Sequence, residues 1–256
     1  MLKYIFPQDK PISKELFRLS FPVILSNLSR VLMSVVDVAM VGRLGAAALA
    51  ATGMGAMLFW GALSLVIGIR TGVQTVASRR LGQKKYDQCG TALHNGLFMA
   101  TVYGFPTSIA GWWLAKDFIP FFINDIKATP LTIEYSSIVF LGILFSAYSF
   151  VFQGFYTGIE KTKIHMKVSI TSNIINVYLN AGLIYGSEGV KLFFSENAPA
   201  LTFLSYFWQW TAFPAMGVKG AAIATLVASL WMFVHYGAYL FSKQIKSRFA
   251  VLSLSV

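Results

Sequence analysis

Phe17–Gly45 reads FRLSFPVILSNLSRVLMSVVDVAMVGRLG, and it is apolar almost without break from Phe21 to Val41. A helix needs about 20 such residues to cross a hydrocarbon core of roughly 30 Å. Yet this stretch holds a proline, Pro22, and two charges, Arg30 and Asp37. A charge at mid-bilayer costs on the order of 2.5–3.5 kcal/mol on insertion scales, so it faces a partner or a water-filled cavity. Two charges and a kinking residue suit a span that binds an ion and moves, rather than a passive anchor.

The rest of the chain supports a membrane reading. Of 256 residues, 56% are apolar and only 12% charged, about half the charged fraction of soluble domains. Six apolar stretches follow in order, at about Phe17–Met40, Thr52–Ala77, Gly90–Trp113, Leu131–Thr157, Met166–Tyr185 and Val218–Phe241. The expected fold is therefore all-α, a polytopic membrane bundle of six transmembrane helices in one domain. The segment APALTFLSYFWQWTAF (198–213) is short for a span, and its Trp and Tyr residues suit the headgroup level. It reads as an interfacial or re-entrant piece.

The net charge of +11 is explained by where the cations lie, without nucleic acid. Lys3, Lys10, Lys14 and Arg18 precede span one. Arg79, Arg80, Lys84 and Lys85 lie between spans two and three, and Lys161, Lys163 and Lys167 between four and five. Lys243, Lys246 and Arg248 follow span six. These are 14 of the 21 basic residues, against five on the opposite side. The positive-inside rule then puts both termini in the cytoplasm of a cell-membrane protein. No cleavable signal is expected in the basic leader, and the single Cys89 excludes an internal disulfide.

Helical spacing puts Ser26, Arg30, Ser34 and Asp37 on one stripe of span one. Asp37 is the one acid within a span besides Glu134, which opens span four. It is the candidate titrating or ion-coordinating group, with Arg30 as its candidate ion-pair partner. Pro22 either bends the span or sits unremarkably in its first turn. In span five Asn173, Asn176 and Asn180 share a face, flanked by Tyr178 and Tyr185. That face is either interhelical glue or a set of oxygens for a hard cation. Span six carries small residues at Gly217, Gly220, Ala221, Ala224 and Ala228 for close helix approach. Its Thr225 either supplies an oxygen ligand or bonds its own backbone. His94 and His235 read as structural hydrogen-bonders and His165 as part of a cytoplasmic turn. No hydrolytic triad, metal-spaced Cys/His cluster or phosphate loop occurs, so no enzyme is expected.

The pattern Pro22…Asp37–x4–Gly42–Arg43–Leu44–Gly45…Leu49–Ala50–Ala51, followed by Gly68–x3–Gly72 and Leu81–Gly82, resembles the multidrug and toxic compound extrusion family. Gln153–Gly154–Phe155–x2–Gly158–x2–Lys161–Thr162–Lys163, the span-five asparagines and the span-six Gly–Ala–Ala–x–Ala–Thr extend the resemblance over the whole chain. It implies one six-helix lobe of a twelve-helix, two-lobe antiporter that expels small organic cations in exchange for H⁺ or Na⁺ and needs no other cofactor. Asp37 would be the coupling-cation or proton site, with Asn176, Asn180 and Thr225 as companions and Pro22 as the bending point. Two positions depart from the family pattern. Asn180 stands where an acid-rich branch has Asp, and Arg30 where a glutamine is usual. The chain matches one lobe only, so a second lobe or a homodimer partner is expected. A lipid-linked oligosaccharide flippase of the same superfamily, or a non-transporting membrane subunit, are the other readings.

Overall fold

The computed structural model describes residues 10–251. They form nine α-helices and two short 3₁₀ helices, with no strand among the described residues. Helix α1 spans Lys10–Gly42, α2 Ala46–Gly82 and α3 Tyr86–Phe118; α4 spans Ala128–Leu141, α5 Ile143–Gly158 and α6 Thr162–Asn197. The short α7 is Tyr206–Gln209, α8 is Val218–Leu240 and α9 is Lys243–Phe249. The long helices overrun the stretches expected from hydropathy at most of their ends. A helix stops where its backbone hydrogen bonds stop, not where the apolar residues do, and α1 starts at Lys10 rather than Phe17. Pro22 therefore lies deep inside α1, and a first-turn position is excluded.

Judged by length and apolarity together, α1 from Pro11, α2 and α8 can cross a membrane, and the bent pair α4–α5 makes a fourth. Helix α3 has 33 residues, and α6 has 24 before it breaks at Gly186, each ample for roughly 30 Å at 1.5 Å per residue. The polar side chains along them, notably the α6 asparagines, dilute their hydropathy.

Two expected spans are not straight. Helix α4 meets α5 at 48°. The break at Gly142 frees backbone groups, and Ser108 of α3 covers one, its Oγ accepting the Leu144 N–H at 3.0 Å. Helix α6 breaks at Gly186, where φ is 73° and ψ 165°, a conformation open essentially only to glycine. The carbonyls freed there are also taken up. Met216 N–H donates to Leu183 O at 2.8 Å and Gly217 N–H to Ile184 O at 3.1 Å. Inside a bilayer such replacement is what makes a broken helix tolerable. Beyond Gly186 the chain folds back through the 3₁₀ turn Pro199–Ser205 and α7, tied by Trp208 Nε1–H to the Tyr178 carbonyl at 2.7 Å. Segment 198–213 holds only the seven-residue 3₁₀ helix and the four-residue α7, and leaves Trp210 93% exposed.

The packing fits the small-residue reading of span six. Helices α6 and α8 lie so close that a Cβ at Gly220 would strike the Leu183 carbonyl. The core runs along α2, α3 and α5, through Leu63, Val66, Leu93, Ala100, Ile143, Ala147, Val151 and Phe155. Helix α1 packs chiefly on α6 and turns Val31, Leu32, Val35 and Val38 outward.

Candidate functional site

Asp37 is brought to the asparagine face of α6. Asn180 Nδ2–H donates to Asp37 Oδ1 at 2.6 Å and its second N–H to Asn176 Oδ1 at 2.8 Å. Asn180 is 2% exposed, and its own Oδ1 accepts no hydrogen bond. A buried amide oxygen without a donor costs free energy, and here it belongs to the side chain that bonds the half-buried Asp37 carboxylate. An acceptor in that state is suited to a proton-bearing or cationic guest.

Two adjoining cavities meet at Asp37. One, of about 230 Å³, lies between α1, α2, α5, α6 and α8, and is lined by Ser172, Asn173 and Asn176 among others. The second, of about 310 Å³, reaches Tyr135, Val139 and Asn180. Arg30, Met33, Asp37, Phe59, Trp60 and Thr225 line both. Together they form a chamber lined by aromatic rings, Phe59 and Trp60 among them, and by hydroxyls and amides.

The other expected site residues are placed as follows. Thr225 lines the chamber, but its hydroxyl donates to the Ala221 carbonyl at 3.0 Å and its side chain also hydrogen-bonds Tyr135, so it meets a guest only as an acceptor shared with that tyrosine. Asn173 leaves the asparagine set and donates to Ser29 Oγ of α1 at 2.8 Å. Tyr185 donates to the Met40 carbonyl at 2.5 Å, closing the far end of the α1–α6 contact. Pro22 is buried, with Ser26 Oγ–H donating to its carbonyl at 2.7 Å. Fifteen residues separate it from Asp37, about 22 Å along the helix, so it does not belong to the chamber.

The expected Arg30–Asp37 ion pair is corrected. No salt bridge joins them among the described residues. Side chains on a helix lean toward its N-terminus, and Arg30 follows that rule. It donates to Asn27 Oδ1 at 3.2 Å and lies over the Trp60 ring, 5.9 Å from its centroid. Glu134 pairs with Lys219 at 3.9 Å near the far end of the bundle. Asp37 is thus the acid left without a cationic partner in the chamber.

His165 is also corrected. It is 7% exposed in the first turn of α6, not in an open turn. Gln153 Nε2 lies 2.7 Å from His165 Nε2, and His165 Nδ1 is 2.6 Å from the Tyr236 hydroxyl. With the amide donating to Nε2, the ring proton sits on Nδ1 and is donated to Tyr236. The signal was Gln153 at the head of the glycine motif, but only packing shows that it points at a histidine. His94 and His235 make the structural bonds expected of them, to the Val251 carbonyl at 2.8 Å and to Thr171 at 3.1 Å. No group of three or more His, Cys, Asp or Glu side chains is placed to hold a metal among the described residues.

Comparison with known proteins gives the family. The MatE family model matches residues 22–181, which include Pro22, Asp37, Asn176 and Asn180. A probable multidrug resistance protein NorM of Photorhabdus laumondii is 31% identical over 69% of this chain and 39% of its own length. A second, from Idiomarina loihiensis, is 26% identical over 93% of this chain and 46% of its own. The chain spans less than half the length of these relatives. Its fold matches a multidrug resistance MATE family transporter solved in an outward-facing conformation, with a TM-score of 0.74 at 22% identity, over 90% of this chain and 45% of that one. The motifs, the helical bundle and the family match agree: this chain belongs to the MatE family of membrane transporters and covers about one half of such a protein.

Proposed function

We propose that the chain is one lobe of a cation-coupled exporter, paired with a second lobe or a second copy, with six membrane crossings and both termini in the cytoplasm. Asp37 takes up H⁺ or Na⁺, and Asn176, Asn180 and Thr225 surround the bound cation. Small organic cations occupy the chamber beside the Phe59 and Trp60 rings and leave as the coupling ion enters, by alternating access. The observation that carries this reading is the Asn180 amide. Both its N–H groups are spent on Asp37 and Asn176 while its oxygen stays unpaired.

The chemistry follows from that arrangement. When Asp37 is charged, it accepts the Asn180 N–H bond and attracts an organic cation. Protonation turns one carboxylate oxygen into an O–H donor. The amide then turns over, and its unpaired oxygen accepts a hydrogen bond from that O–H. Sodium does the same work differently, since a hard cation takes oxygen ligands, which Asp37, Asn180 and Thr225 can offer. Either way the chamber loses its negative charge and its hold on a cationic drug. Pro22, remote from the chamber, acts as the flexible point at which the first half of α1 bends.

The test is uptake of a fluorescent organic cation by liposomes holding the full chain, after an imposed pH or sodium jump. Coupled uptake that disappears in Asp37→Asn supports the reading, and the gradient that works names the ion. Uptake unchanged in Asp37→Asn would sink the coupling role. Cation binding without transport would show that the second lobe must be supplied.

A further inference from the structure

The basic end of the bundle carries a cleft separate from the chamber. It has a volume of about 390 Å³ and is lined by Arg18 of α1, Lys84 of the α2–α3 turn, Lys161 of the α5–α6 turn and Arg248 of α9, with Glu160 as its one acid. Four cations from four elements converge there, and Arg18 is itself paired with Glu15.

The two turns that deliver Lys84 and Lys161 are built alike. Gln83, Lys84 and Lys85 donate backbone N–H bonds to Arg79, Leu81 and Arg80. Ile159, Glu160 and Lys161 donate at the same spacings to Phe155, Thr157 and Tyr156. Both are Schellman caps. Each puts a charged residue, not glycine, at its left-handed position, with φ of 61° at Lys84 and 62° at Glu160. Arg248 is held as firmly. Its guanidinium lies 4.4 Å from the Tyr86 centroid, and α9 is anchored by buried Ile245 and Phe249 and by His94 bonded to the Val251 carbonyl at 2.8 Å. These cations are fixed on a scaffold at the ends of membrane helices, beside the apolar Leu81 and Ile159.

We propose that this cleft binds a phosphate anion, that of an anionic phospholipid headgroup. Lysine and arginine clusters at the cytoplasmic ends of membrane helices attract such lipids, and basic pockets between helices there take their headgroups. The inference does not depend on Asp37 or on transport.

Native mass spectrometry of the full chain in detergent, with equal phosphatidylglycerol and phosphatidylcholine, tests it. The wild type retains phosphatidylglycerol preferentially, and Lys161→Gln/Arg248→Gln reduces that preference about thirtyfold, from the usual contribution of two cations at a charged surface. Lys161→Arg/Arg248→Lys keeps it, which separates loss of charge from misfolding. Lys116→Gln/Lys191→Gln, at the opposite end, also keeps it. If soluble glycerol phosphate displaces the lipid at millimolar concentration, the phosphate site stands and a free phosphate ester is its occupant. No preference for phosphatidylglycerol in the wild type, or equal losses in the two glutamine variants, overturns the proposal.

Discussion

The Asp37–Asn180 bond is the element of the site most open to measurement, and a double-mutant cycle isolates it. The bond is 2.6 Å long, and Asn180 is 2% exposed. A hydrogen bond to a charged group contributes about 1.5–3 kcal/mol, and a neutral one about 0.5–1.5 kcal/mol. Asn180→Leu loses both kinds, because Asn176 is also a partner at 2.8 Å. The same substitution removes the unpaired Oδ1, a buried acceptor whose loss returns about 1–3 kcal/mol. The single variant therefore nets anywhere from about 1 kcal/mol of stabilisation to about 3.5 kcal/mol of loss and decides nothing by itself. The cycle of Asp37→Leu, Asn180→Leu and both together cancels the Asn176 and orphan-oxygen effects. A coupling of about 1.5–3 kcal/mol is expected, read from thermal unfolding in detergent by intrinsic tryptophan fluorescence at neutral pH. In sodium or at low pH the coupling should shrink toward the neutral value, because the bound cation or proton takes over the carboxylate. A coupling below about 0.5 kcal/mol under all conditions would refute the pairing, and with it the assigned role of Asn180.

Four further outcomes follow from other parts of the molecule. Arg30→Gln should tighten binding of an organic cation to the chamber severalfold by fluorescence titration, since the guanidinium shares the cavity with Asp37 and has no acid beside it; unchanged affinity would place the drug elsewhere. Gly186→Ala should destabilise the fold by roughly 1–3 kcal/mol in the same unfolding assay, from a backbone at φ 73° and ψ 165° that alanine resists. Glu160→Gly should stabilise by about 1 kcal/mol, by relieving a left-handed non-glycine residue. Asp125, in the loop before α4, accepts the N–H groups of Ala128 at 2.7 Å and Lys127 at 2.9 Å, and these hold its carboxyl below the usual carboxylate range. Its contribution is thus present above an ordinary unfolded value of about 3.9 and lost as pH falls through the lower folded one; Asp125→Ala should flatten the loss of melting temperature on acidification below about pH 4.

The sequence by itself determined the class of molecule. Charge sparsity, the apolar runs and the Asp37–Gly42–Arg43–Leu44–Gly45 pattern lead to a helical membrane bundle of this family, because burial in lipid acts on composition and period, which a linear string displays. It also brought Asn176 and Asn180 together, since a spacing of four fixes a shared helix face. Three things were decided only in three dimensions. Arg30 and Asp37 share a stripe but point apart, because side-chain lean along a helix is a matter of direction and not of spacing. The break at Gly186 and the bend at Gly142 depend on which distant groups, Met216, Gly217 and Ser108, arrive to take the freed backbone positions. His165 joins Gln153 and Tyr236 across three helices, a contact whose partners lie 12 and 71 residues away. Periodicity can say which way a residue faces within its own helix, but what it meets there is set by the packing of the others.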